Sequence, residues 1–341
     1  MKKKLRVLAL CEESLVPPEN VARKDAATAE WRMEFDVVQT LREEGHDVQA
    51  LGVGSELGVI RTAIAEFKPD IAFNLLEGFA EVATWDQNVV AYLELLRLPY
   101  TGCNSRGLLL ARDKALAKKV LSYHRVAGPD FVVFPRARTV RRPRRLRFPL
   151  IVKSLTLDAS IGISQASVVE DDGKLTERVR FIHESIGTDA LVEEYVEGRE
   201  LYVGILGNQR LQVLPIWELS FAGLPEEARK IATERVKWSM RYQKKHGIKS
   251  GLAKDLPEPL VRRIGALCKR VYRNLMISGY ARIDLRLAAD GRVYVLEANP
   301  NPQLAYGEDF ADSAESAGIK YGPLLERILR LGLEWEPSHL G

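Results

Sequence analysis

Cysteine is scarce in this 341-residue chain: Cys11, Cys103 and Cys268 lie far apart and show no paired spacing. That excludes a disulfide framework and a thiolate zinc site, and it leaves buried thiols in a reducing compartment as the expectation. The five histidines form no metal-binding helix pattern. No apolar run approaches the ~20 residues a helix needs to cross a bilayer, and Met1-Lys-Lys-Lys-Leu-Arg6 leads into a strand instead of a signal-peptide core. The expected location is the cytoplasm, with no membrane partner. An excess of one charge is also missing, since the formal net charge is only +4. Seven arginines do crowd Arg136 to Arg147. They sit between two apolar strands without interleaved aromatics, so a solvated connector is expected there and no nucleic acid.

What is present is length enough for two or three domains and a 46% hydrophobic fraction ordinary for a globular protein. The first hundred residues alternate strand and helix. Strands are expected at 6–10, 48–51 and 71–74, with helices at 56–67 and around Trp31, Phe35, Val38 and Leu41, ending at Gly45. Such alternation implies a parallel sheet covered on both faces, with ligand loops at the strand ends near 11–14 and 74–78. After Gly102 the pattern changes to an α+β unit: a helix over 105–123, strands at 131–134, 150–154, 163–169 and 190–196, and a helix at 175–186. A third unit holds strands at 201–206 and 211–217, a helix over 259–276, a hairpin after 280 and a helix around 324–331. The division expected is 1–104, 105–197 and 198–341.

The hairpin is the most specific feature. Tyr280 to Ala288 alternates in hydropathy, Asp290-Gly291 interrupts, and Val293 to Asn299 resumes. With Asp290 and Gly291 as the two central residues of a tight turn, Asp284 faces Glu297 and Arg282 faces Asn299. Like charges directly opposed are destabilising unless a cation sits between them. Asp284, Glu297 and Asn299 share one face and offer hard oxygen donors, so Mg²⁺ or Mn²⁺ is expected, its shell completed by phosphates. The competing reading is a solvated edge neutralised by Arg282 or Arg286. Ile283, Leu285 and Leu287 form an apolar row on the other face, which makes the hairpin central. Lys153 ends an apolar strand, where a buried ammonium calls for an anion.

With Arg282-Ile-Asp284 and Glu297-Ala-Asn299, the chain resembles the ATP-grasp superfamily in its D-alanine:D-alanine ligase-like branch. Asn74-Leu-Leu-Glu-Gly78, Leu98-Pro-Tyr-Thr-Gly102, Asp113-Lys114, Pro149-Leu-Ile-Val-Lys153 and Glu193-Glu-Tyr-Val-Glu-Gly-Arg-Glu200 follow in the family's order and extend the likeness over nearly the whole chain. The fold implied is an α/β N-terminal parallel-sheet domain followed by a two-part α+β ATP-grasp fold, with ATP between the second and third units.

The resemblance further implies that Lys114, Lys153 and Arg241 contact phosphates, though surface lysines remain the alternative. It implies a flap over residues 155–162, which keeps Ser160 and Gly162. The base edge would meet Glu193, Glu194, Tyr195 and Val196 and the ribose Glu200, unless Glu193 and Glu194 are simply a solvated strand end. Arg282 would steady a tetrahedral intermediate. The activity implied is an ATP-dependent carboxylate-amine ligase working through an acyl phosphate on amino-acid-like substrates, as a homodimer by analogy; an ATP-binding regulator without ligation is the alternative. The chain departs from the family where substrates are recognised. After Leu8-Ala-Leu-Cys-Glu-Glu13 the glycine-rich opening is missing and 15–25 is an unfamiliar polar loop, Glu77 replaces a histidine, Gln303 replaces a glycine, and acidic Glu308 falls where a carboxylate would bind, which disfavours a carboxylate there and favours a cationic amine.

Overall fold

The computed structural model describes residues 3–157, 160–225 and 228–336. Strands β1 (Arg6–Glu12), β2 (Asp47–Val53) and β3 (Ile71–Asn74) form a parallel sheet in the order β2-β1-β3. Helices α1 (Arg23–Ala26), α2 (Arg32–Glu43), α3 (Gly58–Phe67) and α4 (Asp86–Leu95) accompany it. The central residues of β1 and all of β3 are buried, as continuous apolar runs require when both faces are covered. Phe35, Val38 and Leu41 bury one stripe of α2, and Gly45 beyond its end takes the left-handed φ of +94°.

The helix expected over 105–123 is two helices, α5 (Ser105–Arg112) and α6 (Lys114–Tyr123). Asp113 between them is extended, and its carboxylate accepts from the Leu116 N–H, so it caps α6 instead of continuing α5. Lys114 thereby becomes the first residue of a helix.

Strands β4 (Phe131–Phe134), β5 (Leu150–Ser154), β6 (Val168–Val169) and β7 (Ala190–Glu194) make an antiparallel sheet in the order β4-β7-β5-β6, packed by α7 (Asp172–Phe181). The strand expected over 163–169 shrinks to two residues. Ser164 and Ser167 bond each other's backbone N–H in a capping box, which uses those groups locally.

A second antiparallel sheet runs β11-β10-β8-β12-β13, with β9 beside β8. Its strands are β8 (Arg199–Leu206), β9 (Gln212–Val213), β10 (Trp217–Phe221), β11 (Ile248–Leu252), β12 (Tyr280–Leu287) and β13 (Val293–Pro300). The single strand expected over 211–217 is split into β9 and β10 around Pro215, which cannot donate to a ladder. Between β10 and β11 lie α8 (Glu234–Trp238) and α9 (Met240–Lys245); α10 (Glu258–Asn274) packs behind the sheet, and α11 (Asp309–Ser316) and α12 (Tyr321–Leu333) follow. Ile283, Leu285, Val295 and Ala298 share a core with Cys268 and Tyr272 of α10. All three cysteines are buried and free, as expected.

The N-terminal sheet meets the hairpin base at a seam only glycine allows. Gly102 and Gly279 both have positive φ, and a Cβ on Gly279 would lie 2.4 Å from the Gly102 carbonyl oxygen. Asn301, just beyond β13, accepts from the Cys103 N–H at 2.7 Å across the same seam.

Candidate active site

The hairpin pairs as expected at its functional end: Arg282 faces Asn299 and Asp284 faces Glu297. The turn differs. Ala288 and Arg292 close a three-residue connection, with the Gly291 N–H on the Ala288 carbonyl and Gly291 at φ +80°. That shifts the register by one, so Leu285 faces Val295. A bulge at Leu296 shifts it back before Glu297 is reached. Val295 and Ala298 consequently both face the core, and Glu297 is turned into the cleft.

Three strands place their side chains on this face as a grid, because Arg286 lies opposite Glu200, Asp284 opposite Tyr202 and Arg282 opposite Gly204. Arg282 grips Asp284 through two parallel bonds, Nε to Oδ1 at 2.8 Å and Nη2 to Oδ2 at 2.9 Å. Its guanidinium also stacks over the Tyr202 ring at 4.7 Å. Neutralisation by an arginine therefore occurs, but not at a solvated edge, since Asp284 is 4% exposed. Burial pushes the Asp284 carboxyl up, Arg282 opposes that, and Glu297 adds to the rise, leaving it at about 6. Asn299 Nδ2 approaches Glu297 Oε1 at 3.5 Å. Among the described residues no group of three His, Cys, Asp or Glu is placed to hold a metal. Two carboxylates and an amide nevertheless fit a hard divalent ion that draws its remaining ligands from phosphate oxygens.

A cleft opens at these carboxylates, lined by Lys114, Lys153, Ser160, Glu200, Lys237, Asp284, Arg286 and Glu297 with Ile151, Ile163, Ile231 and Leu296. Lys114 and Lys153, expected from sequence, are both there. Lys114 Nζ donates to the Leu157 carbonyl at 3.0 Å. Arg241 is exposed on α9 and is not among the residues lining the cleft, whereas Lys237, four residues earlier on α8, does line it. Lys118 escaped the sequence reading, and Arg286 entered it only as a neutraliser of the carboxylates, not as part of the cleft. The signals were there, since Lys118 is four residues from Lys114 on one helix and Arg286 shares the strand parity of Arg282 and Asp284.

Glu193 is positioned differently from the expectation. It is 1% exposed, and its carboxylate lies between two ammonium groups, Lys118 Nζ at 2.7 Å and Lys153 Nζ at 2.8 Å. Burial alone would raise its pKa, but Lys118 and Lys153 outweigh that and hold it at about 2. It belongs to the lysines instead of a solvated strand end. The Glu194 and Tyr195 N–H groups are already used by the Asp130 and Pro149 carbonyls, because β7 is an inner strand. Glu194 Oε1 accepts from the Arg147 N–H at 2.9 Å. Val196 lies just past the strand end.

Glu200 is held from two sides, by Arg286 Nη2 at 2.8 Å and by the Tyr202 hydroxyl donating at 3.0 Å. The expected flap falls partly outside the described residues, at Asp158 and Ala159. Its remainder is pinned: the Gly162 N–H donates to Glu234 Oε2 at 3.3 Å, the Gly162 carbonyl accepts from Arg178, and the Glu234 N–H donates to the Ile163 carbonyl.

On the other side of Arg282 the loop 301–308 packs on the start of α2. The Leu304 N–H meets the Met33 sulfur, the Tyr306 N–H donates to Asp36, and Arg32 donates to the Tyr306 carbonyl. Glu308 approaches Arg32 at 3.9 Å; burial and Asp309 raise its pKa. Glu34 of α2 is buried, with Oε2 lacking a hydrogen-bond partner among the described residues. Burial is the main cause of its rise from 4.5 to about 7; its own backbone N–H lowers it, and Glu77 and Glu12 add to it.

Residues 120–330 match the family model described as D-ala D-ala ligase C-terminus. The protein y4sG of Sinorhizobium fredii is 31% identical, over 87% of this chain and 86% of its own. The D-alanine–D-alanine ligase of Desulforudis audaxviator is 30% identical, over 87% and 92%. A solved structure, the D-alanine–D-alanine ligase of Bacillus anthracis complexed with ATP, superposes with a TM-score of 0.73 at 22% identity, covering 96% of this chain and 97% of that one.

Proposed function

The chain belongs to the D-alanine–D-alanine ligase family, and on that premise we propose that it joins a carboxylate to an amine at the cleft between β5, β7 and the β12–β13 hairpin. It is an ATP-dependent ligase of ATP-grasp type. The observation that carries the site reading is the face-to-face placement of Asp284 and Glu297 at a cleft into which lysines converge from three separate elements.

In this reading Lys114, Lys153 and Lys237 bind the phosphates, and Ser160 borders them. Glu200, fixed by Arg286 and Tyr202, presents its remaining lone pairs to the ribose. A base edge is read by carbonyl oxygens of Glu194 and Tyr195 and by Val196, since the two N–H groups of the former are taken. Asp284, Glu297 and Asn299 hold Mg²⁺ or Mn²⁺, which supplies charge neutralisation for phosphoryl transfer. Arg282, held flat by Asp284 and Tyr202, keeps a fixed positive fork where an oxyanion develops once amine adds to the acyl phosphate. No protein nucleophile is required.

The substrates are amino-acid-like. The surplus of acid on the far side of Arg282, at Glu308 and Asp309, favours an amine that carries extra positive charge over one presenting only a carboxylate. The three-unit division at 104 and 197 and a cytoplasmic location are part of the same proposal. Free buried thiols, and the absence among described residues of a helix long and apolar enough to cross a membrane, support the location.

The test is amine-dependent phosphate release with ATP, Mg²⁺ and a panel of D- and L-amino acids, including basic ones. ADP formation with particular pairs is expected; turnover with no pair moves the reading to an ATP-binding regulator.

A further inference from the structure

Resting on the reading of Lys153 as a phosphate ligand, we propose that Lys118 is a positioning residue which, by neutralising Glu193, lets Lys153 present a net positive charge to the nucleotide phosphates. A lone Lys153–Glu193 pair would be internally neutral. Its field would largely cancel at a phosphate, and the buried carboxylate would compete for the same ammonium. The structure places a second ammonium on the other oxygen of Glu193, Lys118 at 2.7 Å against Lys153 at 2.8 Å. Two ammoniums and one carboxylate leave one positive charge. Both lysines are mostly buried, with side-chain exposures of 7% for Lys118 and 14% for Lys153, so water screens the arrangement little.

Lys118 lines the adjoining cavity together with Lys114, Phe131 and Glu297, while Lys153 lines the cleft at the carboxylates. Glu193, between the two ammoniums, is what couples them. The helix explains the economy of the design: Lys114 and Lys118 are one turn apart on α6, so one short element delivers a cation to the cleft directly and another through a carboxylate. Glu193 is in turn fixed by its place on the inner strand β7, where its partner residues are Phe131 on one side and Ile151 on the other.

The charge count makes a test that a purely structural role would fail. Binding of ATP and of adenosine is measured by calorimetry on the full chain with Mg²⁺, for the wild type and for K118M, K118R, E193Q, K153M and the double variant K118M/E193Q, with thermal unfolding recorded for each. K118M should weaken ATP about 10- to 100-fold, the scale of a hydrogen bond between charged groups, and leave adenosine, which carries no phosphate, within about twofold. K118R should stay near the wild type. The double variant again carries one positive charge and should recover most of the ATP affinity lost in K118M.

Equal weakening of ATP and adenosine by K118M, or a double variant no better than K118M, overturns the inference. So does a K118M that binds ATP normally while K153M does not, which leaves the phosphate reading of the cleft standing. A K153M that binds ATP like the wild type overturns both.

Discussion

The nucleotide cleft and the acceptor side of the same hairpin treat charge in opposite ways. In the cleft nearly every buried charge meets an opposite one: Asp284 meets Arg282, Glu200 meets Arg286, and Glu193 meets Lys118 and Lys153. Across Arg282, toward the N-terminal sheet, several acids gather around Arg32. Glu34 is buried with an Oε2 that lacks a hydrogen-bond partner among the described residues, burial with Glu77 and Glu12 raises its pKa, and burial with Asp309 raises that of Glu308. The matched region is built to stay as it is when a fixed ligand arrives. The mismatched one is where, in the function proposed above, a positively charged substrate would find acids to pair with.

The sharpest break would come at the metal carboxylate. Glu297→Gln should lower amine-dependent phosphate release by a factor on the order of 10³, since the loss of charge stabilisation at a transferring phosphoryl group is of this size. Unchanged far-ultraviolet dichroism should accompany it, and a variant working at the wild-type rate would remove the cleft from the comparison. Next is the pairing itself. Arg282→Met leaves Asp284 buried without its partner and should cost about 3–4 kcal/mol in urea unfolding, in addition to activity.

On the mismatched side the prediction concerns pH. The folded pKa of Glu34, about 7, lies above its ordinary 4.5, so the folded protein holds a proton that the unfolded chain releases. Its stabilising contribution is complete below pH 4.5 and is lost as pH rises toward 7, to a total of at most about 3 kcal/mol. Glu34→Gln should remove that decline: the variant melts higher than wild type at pH 8, and the gap closes near pH 4. A gap independent of pH would mean that Glu34 is not protonated in the fold. The smallest effect is expected at Glu308, which is partly exposed. Glu308→Gln should change the preference between basic and neutral amino acids about five- to tenfold, roughly 1 kcal/mol, with little change in the KM for ATP.

Much of this was legible in the residue order, for reasons that differ by region. Strands 71–74, 131–134 and 150–154 appear where apolar runs and their breakers put them. The facing of Asp284 and Glu297 was also correct, although the tight turn assumed for it was not, because the longer turn and the bulge at Leu296 cancel. What stayed hidden was tertiary. The helical spacing puts Lys118 on the face of Lys114, but only the fold shows that it meets Glu193, and nothing local distinguishes Lys237 from Arg241, since both depend on elements that meet only after folding. Glu193 was assigned to the base edge, with a solvated strand end as the alternative, and its pairing with two lysines stayed hidden because they are 75 and 40 residues away in the chain. The break at Asp113 was missed because its extended backbone is set by capping the following helix, which helical periodicity does not report.

The paired irregularities of the hairpin carry a consequence for how its tip can change. The connection 289–291 is closed by Ala288 and Arg292, so dropping a single residue from it leaves a two-residue turn between the same closing pair and keeps Asp284 opposite Glu297. Length variants of this loop should therefore be tolerated singly, and shortening the tip by one residue should leave both the sheet and ATP-dependent turnover close to the wild type.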